Sequence, residues 1–70
     1  MQGYQKRLIV EYFELTDRIE KLSDFIAVYD LGGIEYPTKK DLLELQLGTM
    51  KEYQFVLQTR MILEGLEEYL

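Results

Sequence analysis

The most constraining feature of this sequence is an unbroken apolar repeat between residues 8 and 29. Its apolar residues recur at alternating spacings of four and three: Leu8, Tyr12, Leu15, Ile19, Leu22, Ile26 and Tyr29. On an α-helix this spacing places all of these side chains on one side. The repeat therefore predicts a long first helix with a packing seam, and that seam needs a partner.

A second helix is expected to supply the partner. Gly32 and Gly33 favour the end of the first helix, because glycine commonly occupies the left-handed position after a helix terminus. A matching apolar stripe then follows at helical spacing, interrupted by Gln54: Leu43, Leu47, Met50, Leu57 and Met61. The pattern predicts an all-α fold, an antiparallel helical hairpin of two long helices.

We predict a single helical-hairpin domain over residues 1–70. The first helix is expected over about 4–30, the turn over 31–38 and the second helix over about 39–67. Near the middle of the second helix, Gly48 is unfavourable by about 1 kcal/mol relative to alanine. Such a glycine usually signals the close approach of another backbone or of a ligand, and we favour a helix crossing.

Both predicted helices carry more apolar surface than a two-helix seam covers. The first has a flanking set: Ile9, Val10, Phe13 and Phe25. The second has a second stripe: Leu42, Tyr53, Val56, Leu63, Leu66 and Leu70. Since a 70-residue chain without Cys or His has no disulfides and few kinds of metal site to stabilise it, oligomerisation is the remaining device. We predict that the hairpin assembles into a homo-oligomeric helical bundle.

The charge balance restricts the partners. A net charge of -5, from 8 basic and 13 acidic residues, disfavours duplex nucleic acid and anionic membrane surfaces. A small anionic ligand is still compatible, because two or three cations that converge in a pocket act locally. The sequence has no signal peptide and no apolar run near the roughly 18 residues of a membrane span. We therefore expect a soluble, intracellular protein.

The residues needed for common catalytic mechanisms are missing. The chain has no His, no Cys and a single serine, Ser23, so the usual nucleophile and base arrangements are excluded. No Glu-x-x-His spacing exists for a di-iron bundle, and the Gly32-Gly33 pair lacks the lysine and hydroxyl of a phosphate-binding loop. We predict a binding protein that is not an enzyme and that uses no metal or cofactor.

Two positions carry polar groups of interest. Tyr4 stands within about one turn of Lys6 and Arg7, and this cluster is either a frayed first turn or part of a site. Arg60 falls on the second stripe of the second helix. A structural interpretation pairs it with Glu64 or Glu67 in solvent. A functional interpretation places it in an intersubunit pocket, where its planar fork suits a phosphate.

Two blocks carry a resemblance to a known family. YQKRLIVEYFELTDRIEKLSDFI, residues 4–26, and LLELQLGTMKEYQFVLQTR, residues 42–60, resemble the two arms of the helical-hairpin domain shared by small phage anti-CBASS and anti-Thoeris proteins. Those proteins are cyclic-nucleotide sponges that sequester the second messengers of bacterial antiviral defence. The resemblance covers both arms, and the segment after Arg60 looks like an extension.

The resemblance implies an anti-defence protein in the cytoplasm of the infected bacterial host, assembled as an oligomer, often a hexamer, with ligand sites between subunits. It implies that Tyr4 with Gln5, and either Arg18 or Lys21, hold cyclic dinucleotides. It further implies that Arg60 holds cyclic trinucleotides in a separate pocket formed by three subunits. The alternative hypothesis is a coiled-coil-like interaction module that binds a host protein through its spare apolar face.

Overall fold

The computed structural model describes residues 1–32 and 37–70, and its described part is helical. Helix α1 spans Gly3–Gly32, helix α2 spans Pro37–Leu63, and a 3₁₀ turn, Glu67–Tyr69, follows. The two long helices pack against each other as an elongated hairpin of 49 × 16 × 15 Å. The predicted all-α hairpin is confirmed for the single chain. Of the predicted turn over 31–38, residues 31 and 32 belong to α1 and residues 37 and 38 to α2, and residues 33–36 lie outside the described residues.

The seam of α1 packs on α2 as the apolar repeat predicts. Leu8, Leu15, Ile19 and Ile26 are buried, and Tyr12 and Leu22 are half-buried. The side chain of Tyr29 lies outside the described residues. Helix α2 contributes Leu57 and Met61, whose side chains are both fully buried. The core cluster therefore forms where residues 8–19 of α1 face the last turns of α2.

Gln54 interrupts the α2 stripe because it has a polar partner across the seam. Its side-chain amide Nε2 donates a hydrogen bond of 2.9 Å to Thr16 Oγ1. The Thr16 hydroxyl in turn donates to the carbonyl of Tyr12 at 2.8 Å. Both side chains are half-buried, and a half-buried amide is tolerated when its hydrogen bonds are made.

Helix α2 ends at Leu63, four residues before the predicted end near residue 67. Gly65 adopts a left-handed backbone conformation, with φ of 74°. Its N–H donates to the carbonyl of Ile62 at 3.0 Å, and the N–H of Leu66 donates to the carbonyl of Met61 at 2.8 Å. This pair of bonds is a Schellman motif, and the burial of Leu66 against the core completes it. Gly65 thus stops the helix that the apolar stripe predicts to continue.

At its other end α2 begins at Pro37, two residues before the predicted start. Proline suits a first helical position, because its missing N–H would have no partner inside the helix there. Gly48 lies on the exposed side of α2, and a Cβ placed on it would meet no atom within 4 Å. Within the described part of the hairpin no helix crosses at Gly48, so the predicted crossing needs a second chain.

The flanking set of α1 and the second stripe of α2 lie mostly on the surface. Large apolar side chains exposed on them include Val10, Phe13, Phe25, Leu42, Tyr53, Val56, Leu63 and Leu70. Leu63 is the extreme case at 82% exposure, whereas Leu66 is buried by the turn that ends α2. Neither α1 nor α2, as far as they are described, is long and apolar enough to cross a membrane.

Candidate ligand-binding groove

The first turn of α1 is tied to the end of α2. The Tyr4 hydroxyl donates to Glu64 Oε2 at 3.0 Å, and the Gln5 side-chain amide donates to the same oxygen at 3.2 Å. The side-chain oxygen Oε1 of Gln5 also accepts a hydrogen bond of 2.9 Å from the backbone N–H of Gln2. Three hydrogen bonds hold Tyr4 and Gln5, which favours the interpretation of this turn as part of a site over that of a frayed turn.

An open groove of about 690 Å³ lies beside this junction. Its volume falls within the roughly 300–1,000 Å³ that ligand pockets usually occupy. Helix α1 contributes Tyr4, two cations, Lys6 and Arg7, and the apolar side chains of Leu8 and Val10. About half of the Tyr4 side chain is exposed, so a face of its ring is available to a ligand.

The lining of the groove is locally basic although the chain as a whole is acidic. Three cations line it, and Arg60 is the one that α2 contributes. Two carboxylates line it as well, Glu11 and Glu14. Three positive charges against two negative ones leave an excess of one positive charge among the lining residues, which the charge of Glu64 beside Tyr4 offsets, whereas the whole chain carries -5. The groove is thus a place where an anion meets less repulsion than elsewhere on this surface.

Arg60 is an available cation of the groove. Neither Glu64 nor Glu67 forms an ion pair with it, and in the described residues the Arg60 side chain forms no hydrogen bond or ion pair. The structural interpretation of Arg60 as a solvent ion pair is therefore wrong. Glu64 is occupied by Tyr4 and Gln5 instead. An exposed guanidinium without a partner retains all of its donors for a ligand.

Both groove carboxylates have partners of their own. The Tyr53 hydroxyl donates a hydrogen bond to Glu11 Oε2, and Arg18 pairs with Glu14 at 3.4 Å. The hydrogen bond to Glu11 raises the pKa of Tyr53, with smaller contributions from desolvation and from the Glu11 charge, while Arg60 acts in the opposite direction. In the same way, the hydrogen bond to Glu64 and then its charge raise the pKa of Tyr4. The hydrogen bond to a carboxylate thus favours the protonated form of each tyrosine.

The predicted site residues divide into two groups. Tyr4 and Arg60 line the same groove of one chain, whereas the resemblance implies a separate pocket for each, and Gln5 adjoins the groove through Glu64. Arg18 and Lys21 lie further along α1, where each forms an exposed pair with the acidic residue four positions before it. From Tyr4 to Arg18 is about 21 Å along the helix axis, at roughly 1.5 Å per residue. One chain therefore does not bring Arg18 or Lys21 to Tyr4, although Arg18 reaches the groove indirectly through Glu14.

Sequence reasoning missed the acidic residues that organise the groove. Glu11 and Glu64 lie 42 and 60 residues from the tyrosines they bind, so their roles depend on the register of the two helices. The closeness of Tyr4 to Lys6 and Arg7 was the available signal for a site. In residues 1–32 and 37–70 no group of three acidic side chains is placed to hold a metal ion.

Comparison with known proteins gives one family. Residues 2–63, which include all of α1 and all of α2, match the Sequestin family. Neither a curated protein nor a solved structure matches the chain. Because the match covers far more than half of the 70 residues, this chain belongs to the Sequestin family.

Proposed function

We propose that this protein binds and sequesters cyclic oligonucleotide second messengers, cyclic dinucleotides or trinucleotides, without cleaving them. The observation that carries the proposal is the unpaired guanidinium of Arg60 in the same groove as the exposed ring of Tyr4. The family name, Sequestin, fits a protein that holds a ligand. The biological role we propose is anti-defence: a phage protein that blocks CBASS- or Thoeris-type signalling in the cytoplasm of the infected bacterium.

The groove offers the two contacts that such a ligand needs. A nucleobase stacked on an aromatic ring such as that of Tyr4 gains about 1–3 kcal/mol. The planar fork of Arg60 suits the two non-bridging oxygens of a phosphodiester. Gln5 has a second amide N–H that its bond to Glu64 does not use. Binding requires no catalytic group, because a sponge acts at stoichiometric ratio.

A second copy of the chain completes the proposed site. A cyclic dinucleotide has two bases and two phosphodiesters, so a symmetric pair of grooves matches it better than a single groove does. The exposed apolar residues Phe13, Val56 and Leu63 give the surface for such an assembly. We propose a homo-oligomer, with a hexamer as the expected form, in which Arg18 or Lys21 of one copy approaches Tyr4 of another.

Calorimetric titration with a panel of cyclic di- and trinucleotides tests the proposal. The wild-type chain is expected to bind at least one of them. Arg60→Ala is expected to weaken that binding about 10- to 100-fold, the effect of losing a hydrogen bond to a charged group. Tyr4→Ala is expected to weaken it about 5-fold or more through the lost stacking. Lys51→Ala is the control, because it removes an exposed positive charge that does not line the groove.

Two results would contradict the proposal. The first is no binding across the whole panel. The second is an equal loss of affinity in Lys51→Ala and Arg60→Ala, because the groove would then have no specific role. Chromatography of the ligand after incubation adds the chemical test: the nucleotide is expected to be recovered intact, and a consumed ligand would show an enzyme.

A second candidate function rests on the exposure of the second stripe. With Leu63 82% exposed, this face also suits a coiled-coil-like contact with a host protein. Light scattering separates the two functions. A homo-oligomer that covers Phe13, Val56 and Leu63 leaves no spare face for a host partner, whereas a stable monomer that binds no nucleotide favours the interaction module.

A further inference from the structure

Glu64 stands where a carboxylate is locally unfavourable. It follows Leu63, the last residue of α2, so its charge faces the negative end of the helix dipole. Its hydrogen bonds to Tyr4 and Gln5 are exposed, and exposed polar contacts contribute little to stability. A residue that conflicts with its local setting and adds little stability is often retained for a site.

The backbone around Glu64 holds it in place. The left-handed turn at Gly65 and the buried side chain of Leu66 fix the chain directly after it. From this position Glu64 Oε2 accepts from both the Tyr4 hydroxyl and the Gln5 amide. The orientation of the Gln5 amide is fixed from its other side by the N–H of Gln2. The network joins three parts of the chain: the residues before α1, the first turn of α1 and the end of α2.

This network divides the groove into two chemically different parts. The Tyr4 hydroxyl donates its one hydrogen bond to Glu64 and so has no donor left for a phosphate. What Tyr4 offers a ligand is the face of its ring. The negative charge of Glu64 also repels a phosphate from this part of the groove. The three cations of the groove, Lys6, Arg7 and Arg60, are left to receive the anionic part of the ligand.

We propose that Glu64 is a positioning residue of the groove: it holds Tyr4 as a stacking platform for a nucleobase and directs the phosphodiester of the ligand to the groove cations. This inference rests on the proposed function. It assigns a role to Glu64, which acts on the ligand indirectly by holding Tyr4 and Gln5. It also orients the ligand, with the base at the junction of α1 with the end of α2 and the phosphate at the cations.

The test compares Glu64→Ala, Glu64→Gln and the control Glu67→Ala. Glu64→Ala releases Tyr4 and Gln5 and is expected to weaken binding of the best cyclic dinucleotide about 5-fold, the lower range of a stacking contact. Glu64→Gln keeps an acceptor for Tyr4 and is expected to bind at least as well as the wild type. Glu67→Ala removes the same charge nearby without touching Tyr4 and is expected to have no effect.

A double-mutant cycle links the effect to Tyr4. Tyr4→Phe keeps the ring and loses the hydroxyl that Glu64 holds. If Glu64 acts through that hydroxyl, the affinity of the Glu64→Ala, Tyr4→Phe double variant equals that of the weaker single variant. Additive losses would overturn the proposal, and so would an unchanged or stronger affinity in Glu64→Ala, since Glu64 would then compete with the ligand.

A readout without ligand separates this inference from the proposed function. Ring-carbon NMR of the tyrosines follows the titration of Tyr4, whose pKa Glu64 raises. Glu64→Ala is expected to lower that pKa and Glu67→Ala to leave it unchanged. An unchanged Tyr4 titration in Glu64→Ala, with nucleotide binding intact in the wild type, overturns the positioning role alone. A normal response of Tyr4 without any nucleotide binding overturns the proposed function, and the inference with it.

Discussion

The two halves of the hairpin are built differently. The terminal half, residues 3–19 and 50–70, contains the core cluster around the fully buried Leu57 and Met61. It also contains hydrogen bonds that join side chains of the two helices, such as the bond from Gln54 to Thr16. The turn-side half, residues 20–32 and 37–49, exposes more than 60% of Val28, Leu42 and Leu45.

This difference shows which half of the hairpin forms the larger core within a single chain. The terminal half contains the core cluster, although Phe13, Val56 and Leu63 stay exposed on its surface. The groove is built on this better-packed part, which suits a site that needs fixed geometry. The turn-side half leaves apolar surface that a second copy is suited to cover. Both halves therefore expose apolar surface for association, and the terminal half differs in having the larger core within a single chain.

The largest expected effect tests the core of the terminal half. Leu57→Ala removes a fully buried side chain and is expected to lower the free energy of unfolding by about 2–5 kcal/mol. Leu45→Ala, at 67% exposure in the turn-side half, is expected to change it by less than about 0.5 kcal/mol in the monomer. Urea unfolding at low protein concentration measures both.

The same two variants, Leu57→Ala and Leu45→Ala, extend the comparison of the two halves to high protein concentration. If a second copy covers the turn-side half, the effect of Leu45→Ala grows with protein concentration, because association stabilises the folded state. Equal effects of Leu57→Ala and Leu45→Ala in dilute solution would break the distinction between the two halves.

Two glycine substitutions should have effects of opposite sign. Gly65→Ala places a side chain on a left-handed residue and is expected to lower the free energy of unfolding by about 1–2 kcal/mol. Gly48→Ala meets no neighbouring atom and is expected to raise it by about 0.5–1 kcal/mol. Thermal unfolding of dilute protein checks both signs. A loss of stability in Gly48→Ala that appears only in the oligomer would identify a helix crossing between chains.

A smaller effect is expected at the polar contact across the seam. Gln54→Ala removes the bond to Thr16 and is expected to lower the free energy of unfolding by about 0.5–1.5 kcal/mol. Gln58→Ala is the matched control, because Gln58 is exposed on the same helix. Denaturant titration of the two variants gives the comparison, and equal losses would show that the contact adds nothing.

The smallest expected effect concerns pH. The pKa of Tyr53 is raised in the folded chain by its hydrogen bond to Glu11. The stability from this contact is therefore fully present below about pH 10, the ordinary tyrosine pKa, and is lost as the pH rises through the folded pKa. Tyr53→Phe should lose less stability than the wild type between pH 9 and 11. Urea unfolding across this range measures it, with Tyr69→Phe as control, and an unchanged slope in Tyr53→Phe would contradict the contact.

The fold could be predicted where periodicity decides it. Residues Leu8, Leu15 and Ile19 are buried as their spacing indicates, because a helical stripe needs only local geometry to be recognised. The end of α2 could not be predicted from the same stripe. Apolar residues continue at helical spacing as far as Leu70, and the conformation of Gly65 stops the helix first. Glycine commonly follows the last residue of a helix, and this rule, applied at Gly65 as at Gly32, would have predicted the end of α2.

The candidate site was predictable only in part. Tyr4 and Arg60 were singled out by residue type and position on a face, and they line one groove. The carboxylates that hold the tyrosines depend on the register of α1 against α2, which a single sequence leaves open. Whether Arg18 or Lys21 meets a ligand depends on the arrangement of several copies, and no pattern within one chain specifies that arrangement.

The most direct test of the central claim is an NMR titration of the labelled protein with the cyclic nucleotide that binds best. If the groove is the binding site, the largest shift changes occur at the Arg60 side chain and at residues 4–14, with Tyr4 ring signals broadened or shifted by stacking. Changes confined to residues 20–49, or no change at saturating nucleotide, would contradict the claim that the groove of the terminal half holds the ligand.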